Sequence, residues 1–569
     1  MIHELEAIFT NAGKKVFPGV HFPIEIAPST QEKFGHYQFN SAMRLAKLVS
    51  TPPREVAQKI VEALGDTPLI EKLEIAGPGF INIFLSKEGL SNKVSRMLES
   101  ERLDIPKPEK PKKIIVEFSS PNTAKELHVG HLRSTIIGDS IARLFEFLGD
   151  NVLRLNHIGD WGTQFGMLIG YLKKNHPEVL SGQESSTLPE LMQWYKEAKA
   201  LFDTDPDFKK QAQQEVVLLQ GGDPISFTAW KTICEISRKG YQEIYDLLDV
   251  KIQERGESFY NPVLEKTVSD LEALGIVELS EGAKCIFIDG IKVPLMVQKS
   301  DGGYNYDTTD MAALRQRIEE EKADRIICVT DLGQSLHFQL IFKAAERAGW
   351  YTPDKTRLDH VTFGLVLGSD GKKFKTRSGE TEKLIDLLLK AVEEAENILR
   401  ERSPEMNEGE RKALAEALGL SAIKYADLSC HRTSDYAFSY DKMLRFEGNT
   451  AAYLMYSYVR VLGIKRKVGD QADELIQSSE LKLEHPSEVA LGFLLTRFQE
   501  VLESYKETLL PNRLTDYLYQ VADKFNAFFR DCRVEGSEEM GSRLILAEAT
   551  ARVLKQGFDI LGLKTVSKM

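Results

Sequence analysis

The chain has 569 residues, 42% of them hydrophobic and 28% charged, with a formal net charge of −12. That length exceeds what one core can organise and calls for about three or four domains, while no apolar run reaches the roughly 18 residues that a membrane span needs. Five cysteines, Cys234, Cys285, Cys328, Cys430 and Cys532, lie scattered with no Cys-x-x-Cys, which argues against a disulfide frame or a zinc site and fits a reducing compartment.

The N-terminus carries Glu4 and Glu6 and no long apolar stretch, so it reads as neither a secretory nor a transit signal. Helical spacing covers residues 2–9 and 56–64, and Phe80–Leu85 alternates as a half-buried strand after Gly77-Pro78-Gly79. A stretch rich in Pro and charge, residues 105–113, then marks a boundary. Residues 1–105 are therefore expected to fold separately.

Residues 114–116 form an apolar run, followed by a loop with Ser119, Ser120, Pro121, Asn122 and Lys125 and by His128-Val129-Gly130-His131. Leu132, Ile136, Ile137, Ile141, Leu144, Phe145 and Leu148 then share one helical face, and Gly149 is placed to end the helix. Strand, loop and helix in this order aim free backbone N–H groups and the positive helix end at a phosphate. Gly130 lets a ligand approach the backbone. His128 and His131 are three apart and can donate to one group. Two other readings remain open on these residues alone: metal ligands, although no third ligand stands at zinc-like spacing, or histidines satisfied inside the fold.

A short strand is expected at 152–155, then a binding loop, Asn156-His157-Ile158-Gly159-Asp160-Trp161-Gly162. Polar helical material from 171 to about 249 reads as an insertion with no chemistry of its own, and 285–288 with 293–297 as a hairpin. A strand should end near Tyr306, with Thr308 or Thr309 capping a helix that starts at Asp310, a first-turn acid. An apolar strand at 325–329 leads to Asp331-Leu332-Gly333-Gln334, and a strand at 361–367 to a basic, Gly-bounded loop at 368–379. From about Leu384 the pattern is helical to the end. Basic clusters at 107–113, at 372–377 and at Arg460, Lys465, Arg466 and Lys467 are either phosphate-binding or plain solvated surface.

The stretch FSSPNTAKELHVGHLRSTIIGD resembles the first signature of class I aminoacyl-tRNA synthetases, and more narrowly the arginyl-tRNA synthetase family. The loop at 368–379 is similar to a degenerate form of the second class I signature, in which Lys373, Lys375 or Arg377 carries the key charge. The resemblance implies a multidomain α/β architecture: an N-terminal α+β tRNA-contacting domain (1–105), a Rossmann-like doubly wound parallel-sheet catalytic domain (106–380, insertion roughly 171–300), a helical connector (381–430) and an α-helical anticodon-binding domain (431–569).

It further implies ligation of L-arginine to tRNA(Arg) through an arginyl-adenylate, with release of pyrophosphate and AMP. Lys125, His128, His131, Lys373, Lys375 and Arg377 would be catalytic, and His128, Gly130, His131, Phe363, Lys373 and Lys375 would bind ATP. Arginine would be held by Glu117, Ser120, Pro121, Asn122, His131, Tyr306, Asp310 and Gln334, because a buried guanidinium needs carboxylate and amide acceptors. Tyr37, Asn40, Phe446, Asn449, Tyr453 and Tyr456 would meet tRNA, with helix packing the commoner use of the last two; His36 stands where the family usually has Asp. ATP is expected as its Mg²⁺ complex, with no structural metal, and the enzyme as a cytoplasmic monomer that requires tRNA before activating arginine. The rival readings are a nucleotidylyltransferase of the same superfamily and a non-catalytic tRNA-binding paralogue.

Overall fold

The apolar run at residues 114–116 lies in the middle of a sheet. In the computed structural model, which describes residues 1–181, 185–368, 370–372, 374 and 382–569 and only the backbone of Glu32 and Thr163, strand Lys113–Glu117 has two neighbours on each side. The order is Arg357–Phe363, Arg325–Asp331, Lys113–Glu117, Asn151–Asn156 and Gln253–Glu254, parallel throughout. Side chains alternate across a strand, so Ile114 and Val116 pack into one apolar layer and Ile115 into the other. Burial on both faces is why the run is continuously apolar. The chain leaves the central strand to one side and returns on the other. A switch point therefore lies between the carboxyl ends of Lys113–Glu117 and Arg325–Asp331, where doubly wound sheets hold ligands.

The signature helix, Val129–Leu148, follows the central strand and ends at Gly149 with φ +100°. Leu132, Ile136, Ile137, Ile141, Ala142, Leu144 and Phe145 are each at most 2% exposed. A Cβ at Gly138 would overlap the Phe118 ring, so this helix rests directly on the end of the strand it follows.

Two expectations about the middle of the chain need correction. The helix after residue 303 starts at Tyr306, not Asp310, because Asn305 caps it: its side chain accepts the Thr308 N–H at 3.3 Å. Tyr306 and Asp310 are thus four apart on one helix face. The segment from 171 to about 249, read as an insertion with no chemistry of its own, contains a long helix, Pro224–Leu247, that grips the site, and the edge strand Gln253–Glu254 follows it. The hairpin is present as Ala283–Ile286 against Leu295–Gln298.

Residues 1–98 form a four-stranded antiparallel sheet with helices, ordered Ile26–Pro28, Tyr37–Phe39, Phe80–Leu85 and Ile70–Ala76. The apolar core of this unit is continuous with that of the C-terminal helices. The His36 ring lies 4.6 Å from Phe493, its Nδ1 accepts the Leu85 N–H at 2.9 Å, and the Tyr37 hydroxyl donates to Glu500. Tyr37 is consequently fully buried and offers no face to a base, contrary to the sequence reading. The C-terminal half is helical, including the connector helix Glu408–Leu428, Ala451–Val468, Asn512–Asp531 and the final helix Met540–Leu561. Strand Tyr436–Ala437 pairs with Val366–Leu367, splitting off the end of the strand expected at 361–367.

Candidate active site

Ser119, Ser120 and Ala124 in the loop after the central strand all have positive φ (+68°, +49° and +60°), a conformation that costs non-glycine residues of order 1 kcal/mol or more each. The helix Pro224–Leu247 holds that loop in place. Ser237, Tyr241 and Tyr245 recur every four residues on one face: Ser237 Oγ accepts the Ala124 N–H at 3.0 Å, Tyr241 donates to the carbonyls of Asn122 and Lys125 at 2.7 and 2.8 Å, and Tyr245 meets Ser119 Oγ at 2.8 Å. Two turns before Ser237 on the helix, Trp230 donates to the Asp160 carbonyl at 2.7 Å. Asp160 in turn accepts from Ser258 and fixes the segment bearing Glu257; a Cβ at Gly256 would collide with it.

These elements enclose a cavity of about 630 Å³ at the carboxyl ends of the strands. One wall carries His128 and His131, whose rings are 4.1 Å apart. They cap the helix reciprocally: His128 Nδ1 accepts the Gly130 N–H at 3.0 Å and His131 Nδ1 accepts the His128 N–H at 3.1 Å. With Nδ1 occupied as acceptor, a neutral ring carries its proton on Nε2. Burial, with His128 and Lys125 adding, drives the His131 pKa down to about 3. This wall is therefore a pair of capping imidazoles of which His131 is uncharged.

Another part of the same lining is acidic. Asp310 Oδ2 bonds His337 Nε2 at 2.6 Å, and Asp310 Oδ1 lies 3.2 Å from His157 Nε2. Burial would raise the Asp310 pKa, yet the two histidines hold it well below the usual carboxylate range. His337 also meets Asp307 at 3.2 Å; against burial, the two carboxylates raise its pKa to about 9. Burial, reinforced by Asp310 and Asp160, lifts Glu257 to about 7. Glu117 lines the cavity already ion-paired with the buried Arg317.

Of the residues expected to hold an amino acid, Glu117, Ser120, Asn122, His131, Tyr306, Asp310 and Gln334 line this one cavity. Pro121 does not: it is buried, and its carbonyl accepts the Gly159 N–H at 3.0 Å. A Cβ at Gly159 would overlap the Asn122 side-chain oxygen, which is what that glycine is for. Gly130 and Phe363 line the cavity too, and Lys125 is exposed outside its lining. Lys373, Lys375 and Arg377 lie outside the described residues.

His157 lies in the binding loop expected at 156–162, whereas sequence reasoning missed Glu257, Arg317 and His337 as wall or support residues. Arg317 had a signal, standing seven residues after Asp310 on the same helix face; Glu257 had none. Among the described residues no group of three His, Cys, Asp or Glu side chains is arranged to hold a metal ion, and no helix is long and apolar enough to cross a membrane.

Of the remaining residues expected at a nucleic acid, Asn40 is half-buried and Phe446 packs under Arg402, 4.1 Å from its ring. Asn449 is exposed and accepts from the buried Tyr425 hydroxyl at 2.5 Å. The Tyr453 hydroxyl accepts from Asn526 at 2.9 Å, whereas Tyr456 is 42% exposed with Arg460 lying 4.7 Å over its ring.

Comparison with known proteins agrees over the whole chain. Residues 93–440 match the family model "tRNA synthetases class I (R), catalytic domain", residues 454–569 the "DALR anticodon binding domain" and residues 3–85 the "Arginyl tRNA synthetase N terminal domain". The chain is 59% identical to an arginine–tRNA ligase of Protochlamydia amoebophila, covering 100% of both chains, and 49% identical to one of Chlamydia caviae, covering 100% of this chain and 99% of the other. The crystal structure of the arginyl-tRNA synthetase from Plasmodium falciparum superposes with a TM-score of 0.87 at 35% identity, covering 100% of this chain and 99% of that one.

Proposed function

Since the chain belongs to the arginyl-tRNA synthetase family and ligates arginine to tRNA(Arg) with ATP, we propose how its cavity divides that work. The acidic wall takes the amino acid. Asp310 and Glu257 receive the guanidinium, whose burial without carboxylate partners would cost several kcal/mol. Glu117, Ser120, Asn122, Tyr306 and Gln334 complete the contacts to arginine, with Glu117 oriented by Arg317.

The imidazole wall takes the nucleotide. The arginine carboxylate attacks the ATP α-phosphorus in line, the bond to pyrophosphate breaks, and the adenylate forms; the ribose hydroxyl at the tRNA 3′ end then attacks the acyl carbon and AMP departs. No protein nucleophile takes part. Catalysis is positioning plus stabilisation of charge on the pentacovalent phosphate. His131, and His128 beside it, donate from Nε2, the signature helix adds its N-terminal amides with Gly130 leaving room, and Phe363 packs against the nucleotide. Lys125 and the basic loop residues Lys373, Lys375 and Arg377 balance the triphosphate, which enters with Mg²⁺ as a substrate complex.

The observation that carries this reading is that both imidazoles and Asp310 line the same cavity. We further propose that the enzyme works as a cytoplasmic monomer; the five cysteines are unpaired, as a reducing compartment would keep them. The anticodon end of tRNA meets exposed Asn449 and Tyr456, with Asn40, Phe446 and Tyr453 behind the surface. A charging assay with a panel of amino acids and total tRNA tests the function, and arginine-dependent pyrophosphate exchange with and without tRNA tests the expected tRNA requirement. Equal exchange rates in the two conditions contradict that requirement.

A further inference from the structure

Every loop of the cavity that hangs on the helix Pro224–Leu247 depends on where that helix ends, and its end is held from another part of the chain. Lys424, in the last turn of the connector helix, is 4% exposed. Its ammonium donates to the carbonyl of Leu248, the cap of that helix, and at 2.7 Å to the carbonyl of Gly562, the cap of the final helix Met540–Leu561. A single cation thus closes two helix C-termini, where the dipoles favour positive charge. Asp139 and Arg143 of the signature helix complete the cluster around Gly562: a Cβ there would lie 2.9 Å from Asp139 and 3.3 Å from the Lys424 ammonium.

The same turn makes two more buried connections. Asp427 pairs with Arg133 Nε at 2.9 Å, both at most 1% exposed, and Arg133 sits two residues beyond His131. Tyr425, 1% exposed, donates to Asn449 Oδ1 at 2.5 Å and to the Thr515 carbonyl at 3.1 Å. Asn449 itself is exposed, on the loop just before helix Ala451–Val468. One helical turn therefore touches the exposed loop through Tyr425, the helix that holds the strained arginine-side loop through Lys424, and the imidazole-bearing helix through Asp427. Buried ions have no water to exchange partners with, so the turn cannot shift without moving the helices it holds or leaving a charge unpaired.

We infer that the turn Lys424–Asp427 is a positioning element that transmits the placement of the Asn449 loop, when tRNA docks on it, to both walls of the reacting cavity. The inference rests on the functional reading above and adds to it the residues that connect the two ends of the tRNA. Neither Lys424, Tyr425 nor Asp427 touches the substrates; they act through Arg133 and the helix Pro224–Leu247.

The test is a double-variant cycle on Tyr425→Phe and Asn449→Ala, read by arginine-dependent pyrophosphate exchange with saturating full-length tRNA(Arg) and by thermal unfolding of each protein. Each single variant should lose roughly tenfold in kcat while the KM values for arginine and ATP stay within about twofold. The double variant should lose no more than the worse single one, because both remove the same bond. Wild-type kcat in either single variant, losses that multiply in the double variant, or an arginine KM that rises with the loss of kcat would overturn the inference. Asn449→Ala changes a surface residue and carries the same prediction if Tyr425→Phe does not fold. Wild-type protein that charges no tRNA would overturn the functional reading instead, and this inference with it.

Discussion

His131 accepts the backbone N–H of His128 on Nδ1 at 3.1 Å, a bond that caps the signature helix and leaves the proton of the neutral ring on Nε2. The cap consumes the nitrogen facing the backbone and leaves the Nε2–H for the cavity. The capping duty of the signature histidines is therefore separable from the donor role proposed for them.

His131→Asn keeps an acceptor near the Nδ1 position and deletes the Nε2–H. Its unfolding midpoint should stay near wild type, while kcat for adenylate formation falls roughly 10²–10³-fold, the loss typical of one transition-state donor. His131→Ala should show the same rate loss plus about 1 kcal/mol of destabilisation from the lost cap. Denaturant unfolding beside pyrophosphate exchange separates the two; equal stability of both variants would remove the capping role.

His337 gives the fold a pH dependence. Its folded pKa of about 9 lies above the unfolded value near 6.5, so the stability it contributes is fully present below about pH 6.5 and is lost as the pH rises through 9. The contribution is at most about 3 kcal/mol. The gap in unfolding midpoint between wild type and His337→Ala should shrink steadily between about pH 7 and 10. A constant gap would mean the imidazolium is not what Asp307 and Asp310 hold.

Glu257 should set the pH dependence of arginine binding. With its carboxyl raised to about 7 by burial and by Asp310 and Asp160, it is protonated below that pH and cannot pair with a guanidinium. The arginine KM should therefore rise roughly tenfold between about pH 8 and 6. Glu257→Gln should have a high KM that no longer varies with pH across that range. A wild-type KM independent of pH would exclude Glu257 from the pocket.

Tyr241→Phe removes the two bonds that hold the carbonyls of Asn122 and Lys125. Two lost hydrogen bonds correspond to about 1–3 kcal/mol, and the strained loop they restrain should loosen. The expected result is a lower kcat/KM for arginine with an unchanged KM for ATP. Equal loss toward both substrates would point to a general packing defect.

What could be read from the sequence was what local chemistry decides. The strand at 114–116, the helix after His128 and its stop at Gly149 follow from apolar spacing and one glycine with φ +100°. The start of the helix at Tyr306 was misplaced because Thr308 and Thr309 looked like caps, whereas Asn305, a residue already in the loop, takes that part. Partners far apart in sequence left no trace: Glu117 meets Arg317, and Tyr37 meets Glu500 and Phe493. An aromatic in a short strand reads the same whether it faces RNA or another domain. The long helix at 224–247 is silent in the sequence for the same reason, since the every-fourth-residue pattern of Ser237, Tyr241 and Tyr245 acquires meaning only once the signature loop lies against it.

In the proposed division of work the imidazole wall and the acidic wall serve one reacting ligand. A non-hydrolysable arginyl-adenylate analogue spans both, and its dissociation constant can be measured by calorimetry for wild type, His131→Asn and Asp310→Asn. Each variant should bind roughly tenfold or more weakly than wild type, with Asp310→Asn losing most because it removes one of the two carboxylates that face the guanidinium. Wild-type affinity in Asp310→Asn or in His131→Asn would contradict the account.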